Sequence, residues 1–508
     1  MSEEIKTTTE EFSVLNLYPK EYEAEENEAF FRDLNLTQII DRITAQWGNG
    51  VRKYYMYLPD DAREGEYRRA VYGDIRKEAV YDALIAFTKR QEDIAQLRGK
   101  KGNTSHPLQK AVWELCEEEA YGDAYEELAK SLSRVELSSA GMRQFLRILT
   151  EFLGSEQFNK FREQARVILG ELRKMRFVVT YEKDRMSIEL REEQGDGEYE
   201  EWLDSFDARA DMRLLNPFGE DSAITELEQA CLEIIESKKK KLFRALWSVA
   251  EQERNYINPV LSRFEQEVIF YLSYATLQRD TEREGFPFAT PDTSGKGRME
   301  AGGLYDLALA LVSIPEGRKV IPNDFYYGEG DRFFVLTGPN QGGKTTFARS
   351  LGQLVYLTRM GLDVPAESAS VPYFPKIQTH FSVEESVETG RGKLMEELVR
   401  LAPMMEDHKR GSFVVINELF TTAANYDAQI MGKRVLEHFL ELGCMGIYVT
   451  HIKELAEGRD GVVSLRAMLN DSGYQTFEIR RAEAEDVACA ANQVNKYRLT
   501  YDQLKERL

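Results

Sequence analysis

The sequence has few of the residues that mark disulfide frameworks and zinc centres, and no run that marks a membrane span. Its 508 residues include five scattered histidines and only four cysteines, Cys116, Cys231, Cys444 and Cys489, none of which form a C-x-x-C pair. This spacing favours neither a disulfide framework nor a zinc site and is typical of a reducing compartment. No stretch approaches the ~20 apolar residues of a membrane helix, and the start MSEEIKTTTEE has neither a signal nor a transit pattern. We therefore expect a soluble, cytoplasmic protein with no membrane partner.

Basic residues are also in the minority. The chain has 66 Lys and Arg against 87 Asp and Glu, which gives a net charge of −21. This balance argues against broad electrostatic adhesion to nucleic acid or to an anionic membrane. It does not exclude DNA, because a local basic surface is enough. Lys238–Lys241 is the strongest basic candidate for a phosphate contact, and a solvated helix face is the alternative explanation of this run.

What the sequence does contain is a phosphate-binding loop between an apolar strand and a helix. Gly338–Thr345 reads GPNQGGKT and matches G-x-x-x-x-G-K-[ST]; Phe333–Leu336 is typical of a buried parallel strand, and Thr346–Thr358 has helical periodicity. Backbone N–H groups of such a loop point at phosphate oxygens. The spacing predicts a nucleoside triphosphate site in which Lys344 reaches the β and γ phosphates and Thr345 ligates Mg²⁺. The residues assigned to the nucleotide are Gly338, Pro339, Asn340, Gln341, Gly342, Gly343, Lys344, Thr345 and Thr346.

Two further apolar runs end in residues that suit phosphate chemistry. Ser412–Glu418 ends in Asn417-Glu418, where P-loop ATPases normally place an Asp in the Mg²⁺ shell. Asn417 can offer its amide oxygen but no charge, so we expect weaker binding of Mg²⁺. Glu418 is the candidate general base, and a strand-end carboxylate satisfied by solvent is the alternative. Gly446–Thr450 ends at His451, which is a candidate sensor of the γ-phosphate or a structural histidine.

The order of these segments predicts a multidomain chain. Residues 1–27 form an acidic N-terminal segment, and residues 28–290 have helical periodicity with a short β-hairpin near residues 177–190. Residues 291–508 alternate strand and helix signals, as an α/β domain does. Within the helical region, Tyr54–Tyr57 is expected to belong to an extended piece that ends at Pro59.

Three motifs, GPNQGGKTT, INELFTTAANYD and VTHIKEL, resemble in this order the MutS family of DNA mismatch-repair ATPases. The resemblance implies an ABC-like P-loop ATPase domain of the MutS type with a C-terminal dimerisation segment in residues 291–508. It implies a helical core, clamp and lever region in residues 28–290. ATP and Mg²⁺ are the implied ligands, DNA is the implied partner, and a homodimer through the ATPase domain is the implied assembly. No N-terminal mismatch-reading domain is recognised, so we expect a short form and assume no mismatch specificity.

The resemblance also assigns roles around the nucleotide. Asn417-Glu418 stands where the family has Asp-Glu, and His451 stands where it has its Thr-His switch. Val320 stands where the family has an aromatic residue near the adenine, and Asn323 lies in the same segment. The catalytic residues implied are Glu418, Lys344 and His451, and the implied metal ligands are Thr345, Asn417 and Glu418.

Two more segments resemble the family's contacts across its dimer. Glu388–Leu398 (ETGRGKLMEEL) resembles the segment that projects a helix N-terminus toward the ATP of the opposite subunit, with Gly392 in place of the family's Ser. Gly392 and Lys393 are therefore expected to contact that ATP, and a backbone N–H contact survives the change to glycine. Thr422–Asp427 (TAANYD) resembles the loop that crosses the dimer, so Asn425 and Asp427 are expected there.

Two functions follow from these assignments. The first is an ATP-dependent DNA-binding clamp or sensor that hydrolyses ATP and acts in repair or recombination, with a hydrolysis rate that DNA changes. The second is a catalytically weak nucleotide-binding scaffold that engages a protein or RNA partner. Asn417, Val320 and Gly392 favour the second function, because each departs from the family's residue.

Overall fold

The computed structural model of the chain describes residues 12–17, 29–59, 61–103, 107–182, 185–192, 213–215, 233–234, 236–250, 258–295, 298–382, 392–407, 409–484 and 505. By internal contacts the chain divides into a first unit, Met1–Phe12 with Asp74–Glu265, and a second unit, Ser13–Gly73 with Gln266–Leu508. The domain boundaries expected at residues 27 and 290 differ from these divisions and stay a prediction. Most of the segment 1–27, and most of the chain after residue 484, lie outside the described residues.

Several helices of the described residues begin at residues that favour a helix N-terminus. Ser139 and Ser155 cap two of them, because their hydroxyls accept hydrogen bonds from the N–H groups of Met142 and Phe158. Another begins at Pro259, in the first turn, where proline is tolerated. In chain order the α-helices are α1 (Ala29–Asp33), α2 (Leu36–Thr44), α3 (Arg52–Met56), α4 (Ala62–Ile75), α5 (Glu78–Asn103), α6 (Pro107–Leu132), α7 (Ala140–Leu153), α8 (Glu156–Arg173), α9 (Lys240–Ala250), α10 (Pro259–Arg283), α11 (Leu307–Ser313), α12 (Lys344–Met360), α13 (Lys393–Glu406) and α14 (Asn425–Glu441).

The first unit is mainly helical. Helices α6, α8 and α9 enclose an apolar core made of Leu108, Ala111, Val112, Leu115, Ala165, Ile168, Leu169, Leu172, Phe243, Leu246 and Val249. Strands β1 (Met175–Glu182) and β2 (Arg185–Glu192) pair antiparallel and form the hairpin that the sequence predicts, and β3 (Arg213–Leu215) joins the other edge of β1. No helix in the described part of the chain is both long enough and apolar enough to cross a membrane.

The second unit is organised by a six-stranded sheet with the order β12-β11-β6-β10-β9-β8. Strands β6, β8, β9, β10 and β11 run parallel, and β12 is antiparallel to β11. Every residue of β6, β8, β9 and β10 is buried, as expected of parallel strands covered on both faces. The strands of this unit are β4 (Glu300–Leu304), β5 (Asn323–Tyr326), β6 (Phe333–Thr337), β7 (Ser368–Ser370), β8 (Ile377–Phe381), β9 (Phe413–Asn417), β10 (Met445–Val449), β11 (Val462–Leu469) and β12 (Gln475–Arg481).

This topology positions the candidate site. Because β6, β9 and β10 are parallel neighbours, their carboxyl ends share one edge of the sheet. The phosphate-binding loop, Glu418 and His451 each follow one of these three ends. A separate antiparallel sheet, β5-β4-β7, belongs to the same unit.

The expectation of an extended piece at Tyr54–Tyr57 is wrong for its first three residues, which belong to α3. Tertiary contacts within the second unit account for the difference. Tyr55 is completely buried, its hydroxyl donates a hydrogen bond to the carbonyl oxygen of Phe270 at 2.6 Å, and its own carbonyl accepts one from the Tyr356 hydroxyl at 2.6 Å. Contacts of this kind override the strand preference of consecutive tyrosines.

Candidate nucleotide-binding and catalytic site

The loop between β6 and α12 has glycine where its backbone requires it. Gly338 has φ 129° and Gly343 has φ 86°, which are backbone conformations that residues other than glycine rarely adopt. A Cβ atom on Gly338 would lie 3.0 Å from the Cβ of Ala467, and one on Gly342 would lie 3.0 Å from the carbonyl oxygen of Pro339. The tight curl of a phosphate-binding loop is therefore present in the fold itself.

Lys344 is the first residue of α12 and is 4% exposed. Its Nζ donates hydrogen bonds to the carbonyl oxygens of Gly338 and Pro339, both at 2.9 Å. The ammonium group is thus held inside the curl of the loop. A buried ammonium there is suited to an anionic phosphate group, which would supply charge-assisted hydrogen bonds.

Thr345 and Asn417 present two oxygen atoms beside this loop. The Thr345 hydroxyl donates a hydrogen bond to Oδ1 of Asn417 at 3.0 Å, and Asn417 is buried. Hydroxyl and amide oxygens are ligands that Mg²⁺ accepts, usually together with substrate phosphates and water. Among the described residues no group of three His, Cys, Asp or Glu side chains is placed to hold a metal ion. The pair therefore fits an Mg²⁺ ion carried by a nucleotide.

Glu418 directly follows β9 and has φ 54°, an uncommon conformation for a residue other than glycine. Its N–H donates to the carbonyl oxygen of Val449 at 2.9 Å, and its Oε1 lies 3.2 Å from Nε2 of His451. The hydrogen bond with His451 lowers the pKa of Glu418, burial opposes this effect, and the charge of Lys344 adds to the lowering. The carboxylate therefore stays ionised at neutral pH, as a general base must.

These groups border one cavity of about 550 Å³. Nine of its lining residues are among those assigned from the sequence: Val320, Asn323, Asn340, Gln341, Gly343, Lys344, Thr345, Thr346 and Glu418. The others are Leu304, Tyr305, Asp306, Leu309, Ser313, Arg318, Lys319, Ile321, Phe347, Ser350 and Phe477. Asn417 and His451 do not line the cavity, but each is hydrogen-bonded to a residue that does.

Comparison with known proteins agrees with this geometry. Residues 334–480 match the family model of MutS domain V. This matched region belongs to the MutS family. The matched region, an ABC-like P-loop ATPase domain, includes the phosphate-binding loop, Glu418 and His451.

Curated relatives match less than half of the chain. The chain is 30% identical over 236 residues to the DNA mismatch repair protein MSH6 of Arabidopsis thaliana, and 31% identical over 201 residues to the DNA mismatch repair protein MutS of Solibacter usitatus. These alignments cover 46% and 39% of this chain, but only 18% and 23% of the two relatives. The MutS protein of Thermotoga petrophila is 27% identical over 229 residues, which are 45% of this chain and 27% of that relative. The chain thus matches less than a third of the length of each of these MutS-family relatives.

Phe477 is one of the lining residues that reasoning from the sequence missed. It lies in β12, has φ 61° and is 48% exposed, and a Cβ atom on Gly343 would lie 3.5 Å from its ring. Asn323 holds this part of β12, since its Nδ2 donates to the carbonyl oxygen of Phe477 at 3.1 Å and its Oδ1 accepts from Ile479 N–H at 2.7 Å. Alternation of Phe477 and Ile479 indicates a strand, but neither the positive φ nor the bond to Asn323 can be deduced from it.

The residues expected to act across a MutS dimer are at the surface of this chain. Gly392 is exposed and is the N-cap of α13, where its carbonyl oxygen accepts a hydrogen bond from Met395 N–H at 2.9 Å. Asn425 and Asp427 are exposed in the first turn of α14. Lys393 is half-buried, and its charge contributes to the low pKa of Glu418. Contact with a second subunit stays a prediction for all four residues, and residues 383–391 lie outside the described chain.

Proposed function

We propose that this chain is a MutS-type ATPase subunit that binds ATP with Mg²⁺, hydrolyses it, and couples hydrolysis to DNA in repair or recombination. One observation carries the proposal. A buried ammonium (Lys344), a hydroxyl (Thr345) that is hydrogen-bonded to the Asn417 amide oxygen, and an ionised carboxylate (Glu418) meet around one cavity at one edge of a parallel sheet. These are the parts that phosphoryl transfer from a nucleotide requires.

In this proposal the triphosphate lies in the curl of residues 338–345, and the base lies toward Val320 and Phe477. Val320 offers only an aliphatic surface, whereas Phe477 offers an exposed aromatic face on the same cavity. We therefore assign to Phe477 the stacking contact with adenine. Asn323 positions Phe477 through the backbone of β12.

Hydrolysis in this proposal depends on Glu418. Its carboxylate orients a water molecule and accepts its proton as the new bond to the γ-phosphorus forms, and the bond to ADP breaks with its electron pair on ADP. His451 holds the carboxylate by the 3.2 Å hydrogen bond and keeps it ionised. Mg²⁺ bound at Thr345 and Asn417 would neutralise phosphate charge.

A second copy of the chain is the partner that we propose for the ATPase domain. Gly392, Asn425 and Asp427 are exposed, and the apolar side chains of Met395 and Tyr426 beside them are 54% and 72% exposed. An apolar surface next to the trans-acting residues is suited to burial in a dimer. DNA is proposed as the further partner because the relatives named above are DNA mismatch repair proteins.

The test is steady-state ATP hydrolysis in Mg²⁺, first without nucleic acid and then with duplex, mismatched, branched and single-stranded DNA. Glu418→Gln is the matched blank, because it keeps the size of the side chain and removes the base. The proposal expects a rate that Glu418→Gln abolishes and that one form of DNA changes. A rate equal to that of the blank with every DNA would refute ATPase function, and a rate indifferent to all DNA forms would refute the coupling.

A catalytically weak scaffold is the second candidate, and Asn417 favours it because an amide places no negative charge beside Mg²⁺. It predicts tight binding of ATP without turnover and a protein or RNA partner. In that case Asn417→Asp would remain inactive. Hydrolysis by the natural chain at a rate that responds to DNA would exclude the scaffold.

A further inference from the structure

Glu397 is a buried carboxylate that the proposed mechanism does not use. It lies in the first turns of α13 and is 2% exposed. Its Oε2 accepts a hydrogen bond from the backbone N–H of Phe420 at 3.0 Å, two residues after Glu418. Burial raises the pKa of Glu397, while this hydrogen bond and the charge of Lys393 lower it.

The backbone that Glu397 holds is in an unusual conformation. Glu418 and Phe420 have φ 54° and 63°, both in the left-handed region. Such residues persist only where their surroundings fix them. Two hydrogen bonds do so on either side of Leu419: Glu418 N–H donates to Val449, and Phe420 N–H donates to Glu397. Loss of the second bond would free the segment that aims the Glu418 carboxylate.

Helix α13 is itself hydrogen-bonded to β8 and to α1. Nε2 of His380 lies 3.1 Å from the carbonyl oxygen of Glu397, and Arg400 donates hydrogen bonds to the carbonyl oxygen of Phe381 at 2.6 Å and to Asp33 at 2.7 Å. Glu397 therefore connects a helix that these contacts hold to the catalytic segment. The N-cap of the same helix is Gly392, which is the proposed contact with the ATP of a second copy.

Stability alone does not explain a carboxylate at this position. Oε1 of Glu397 and the hydroxyl of Tyr448 are buried without a hydrogen-bond partner among the described residues. Leaving buried polar atoms unpaired destabilises a fold, and an apolar side chain would fill the space at lower cost. A role that needs the bond to Phe420 accounts for the acid.

We propose that Glu397 is a positioning residue for hydrolysis, which fixes the Glu418 carboxylate by holding the N–H of Phe420 from α13. The inference rests on the proposed function, since it concerns the same reaction. The inference goes beyond the proposed function because it assigns the positioning of the general base, Glu418, to a residue that does not line the cavity.

The test compares Glu397→Ala and Glu397→Gln with Glu406→Gln, which makes the same charge change at an exposed position at the other end of α13. Single-turnover hydrolysis of bound ATP and the Kd for ATP are measured for each variant. A hydrogen bond to a charged group is lost in Glu397→Ala, so the hydrolysis rate should fall by about 10- to 100-fold, with the Kd within about twofold. Glu397→Gln keeps an oxygen acceptor and should recover part of the rate, and Glu406→Gln should match the natural chain.

Three results would overturn the inference: an unchanged hydrolysis rate in both Glu397 variants, a rise in Kd as large as the fall in rate, or an equal fall in Glu406→Gln. If Glu397→Ala does not fold, the Glu397→Gln variant decides the question. A charge-assisted hydrogen bond is about twice as strong as a neutral one, so the hydrolysis rate of Glu397→Gln should still fall about 3- to 10-fold. Absence of hydrolysis in the natural chain would refute the proposed function instead, so the two failures are distinguishable.

Discussion

Replacement of Phe477 by alanine tests where the base of the nucleotide lies. The ring borders the cavity and is 48% exposed, while the backbone of β12 is held by Asn323. Truncation should therefore remove the stacking surface and leave the loop at residues 338–345 in place. We expect weaker binding of ATP without a change in the phosphate contacts.

The magnitude follows from the exposed area of the ring. A phenylalanine side chain has about 200 Å² of surface, so 48% exposure leaves about 100 Å² for a ligand to cover. A base on one face covers about 50 Å², which contributes about 1.2 kcal/mol at ~25 cal/mol per Å². Aromatic stacking adds about 1 kcal/mol, so the Kd for ATP should rise about 40-fold.

The assay is calorimetric titration of ATP and of inorganic tripolyphosphate, carried out in the Glu418→Gln background so that ATP is not consumed. Only ATP has a base, so Phe477→Ala should weaken ATP and leave tripolyphosphate unchanged. Tyr474→Ala is the matched control, because Tyr474 is 63% exposed on the same hairpin but does not line the cavity. Equal losses for both ligands, or no loss for ATP, would show that the base lies elsewhere.

Three further changes have defined outcomes. Asn417→Asp should lower the Mg²⁺ concentration for half-maximal hydrolysis at least about fivefold, because a charged ligand replaces a neutral one; a metal titration of the rate would show it. His451→Ala removes the hydrogen bond that lowers the pKa of Glu418, and since the ionised form is active, the acid limb of the pH–rate profile should move to higher pH. Gly446→Ala places a Cβ 2.0 Å from the carbonyl oxygen of Val414, so thermal unfolding should begin several degrees lower, with about 3 kcal/mol lost, and an unchanged melting curve would contradict the geometry.

Strands that end in functional residues were predictable from the sequence. Phe333–Leu336, Ser412–Glu418 and Gly446–Thr450 are apolar runs without alternation, and the structure has β6, β9 and β10 there as buried parallel neighbours. A strand that is covered on both faces is apolar at nearly every position, and such a run can be recognised in the sequence. The position of Lys344, Thr345 and Glu418 around one cavity then follows from the shared edge.

Contacts between distant segments could not be predicted in the same way. Asn323 contacts the backbone of β12 more than 150 positions along the chain, and Glu397 contacts Phe420 through a backbone N–H that any residue would offer. Neither contact has a periodicity or a spacing that distinguishes it. The positive φ angles of Glu418 and Phe477 could not be predicted from the sequence either, because neither residue is glycine.

Asn417 bears on the order in which metal and nucleotide arrive. Its Oδ1 accepts a hydrogen bond from Thr345, so the pair offers two neutral oxygens to a divalent ion. Glu418 is the neighbouring carboxylate, and its hydrogen bond with His451 already engages one of its oxygens. Phosphate oxygens must therefore supply most of the negative charge that holds Mg²⁺, which should bind with ATP and not before it. A carboxylate in Asn417→Asp would relax that order, because the protein would then offer charge of its own, and direct binding of Mn²⁺ without nucleotide should appear in that variant alone.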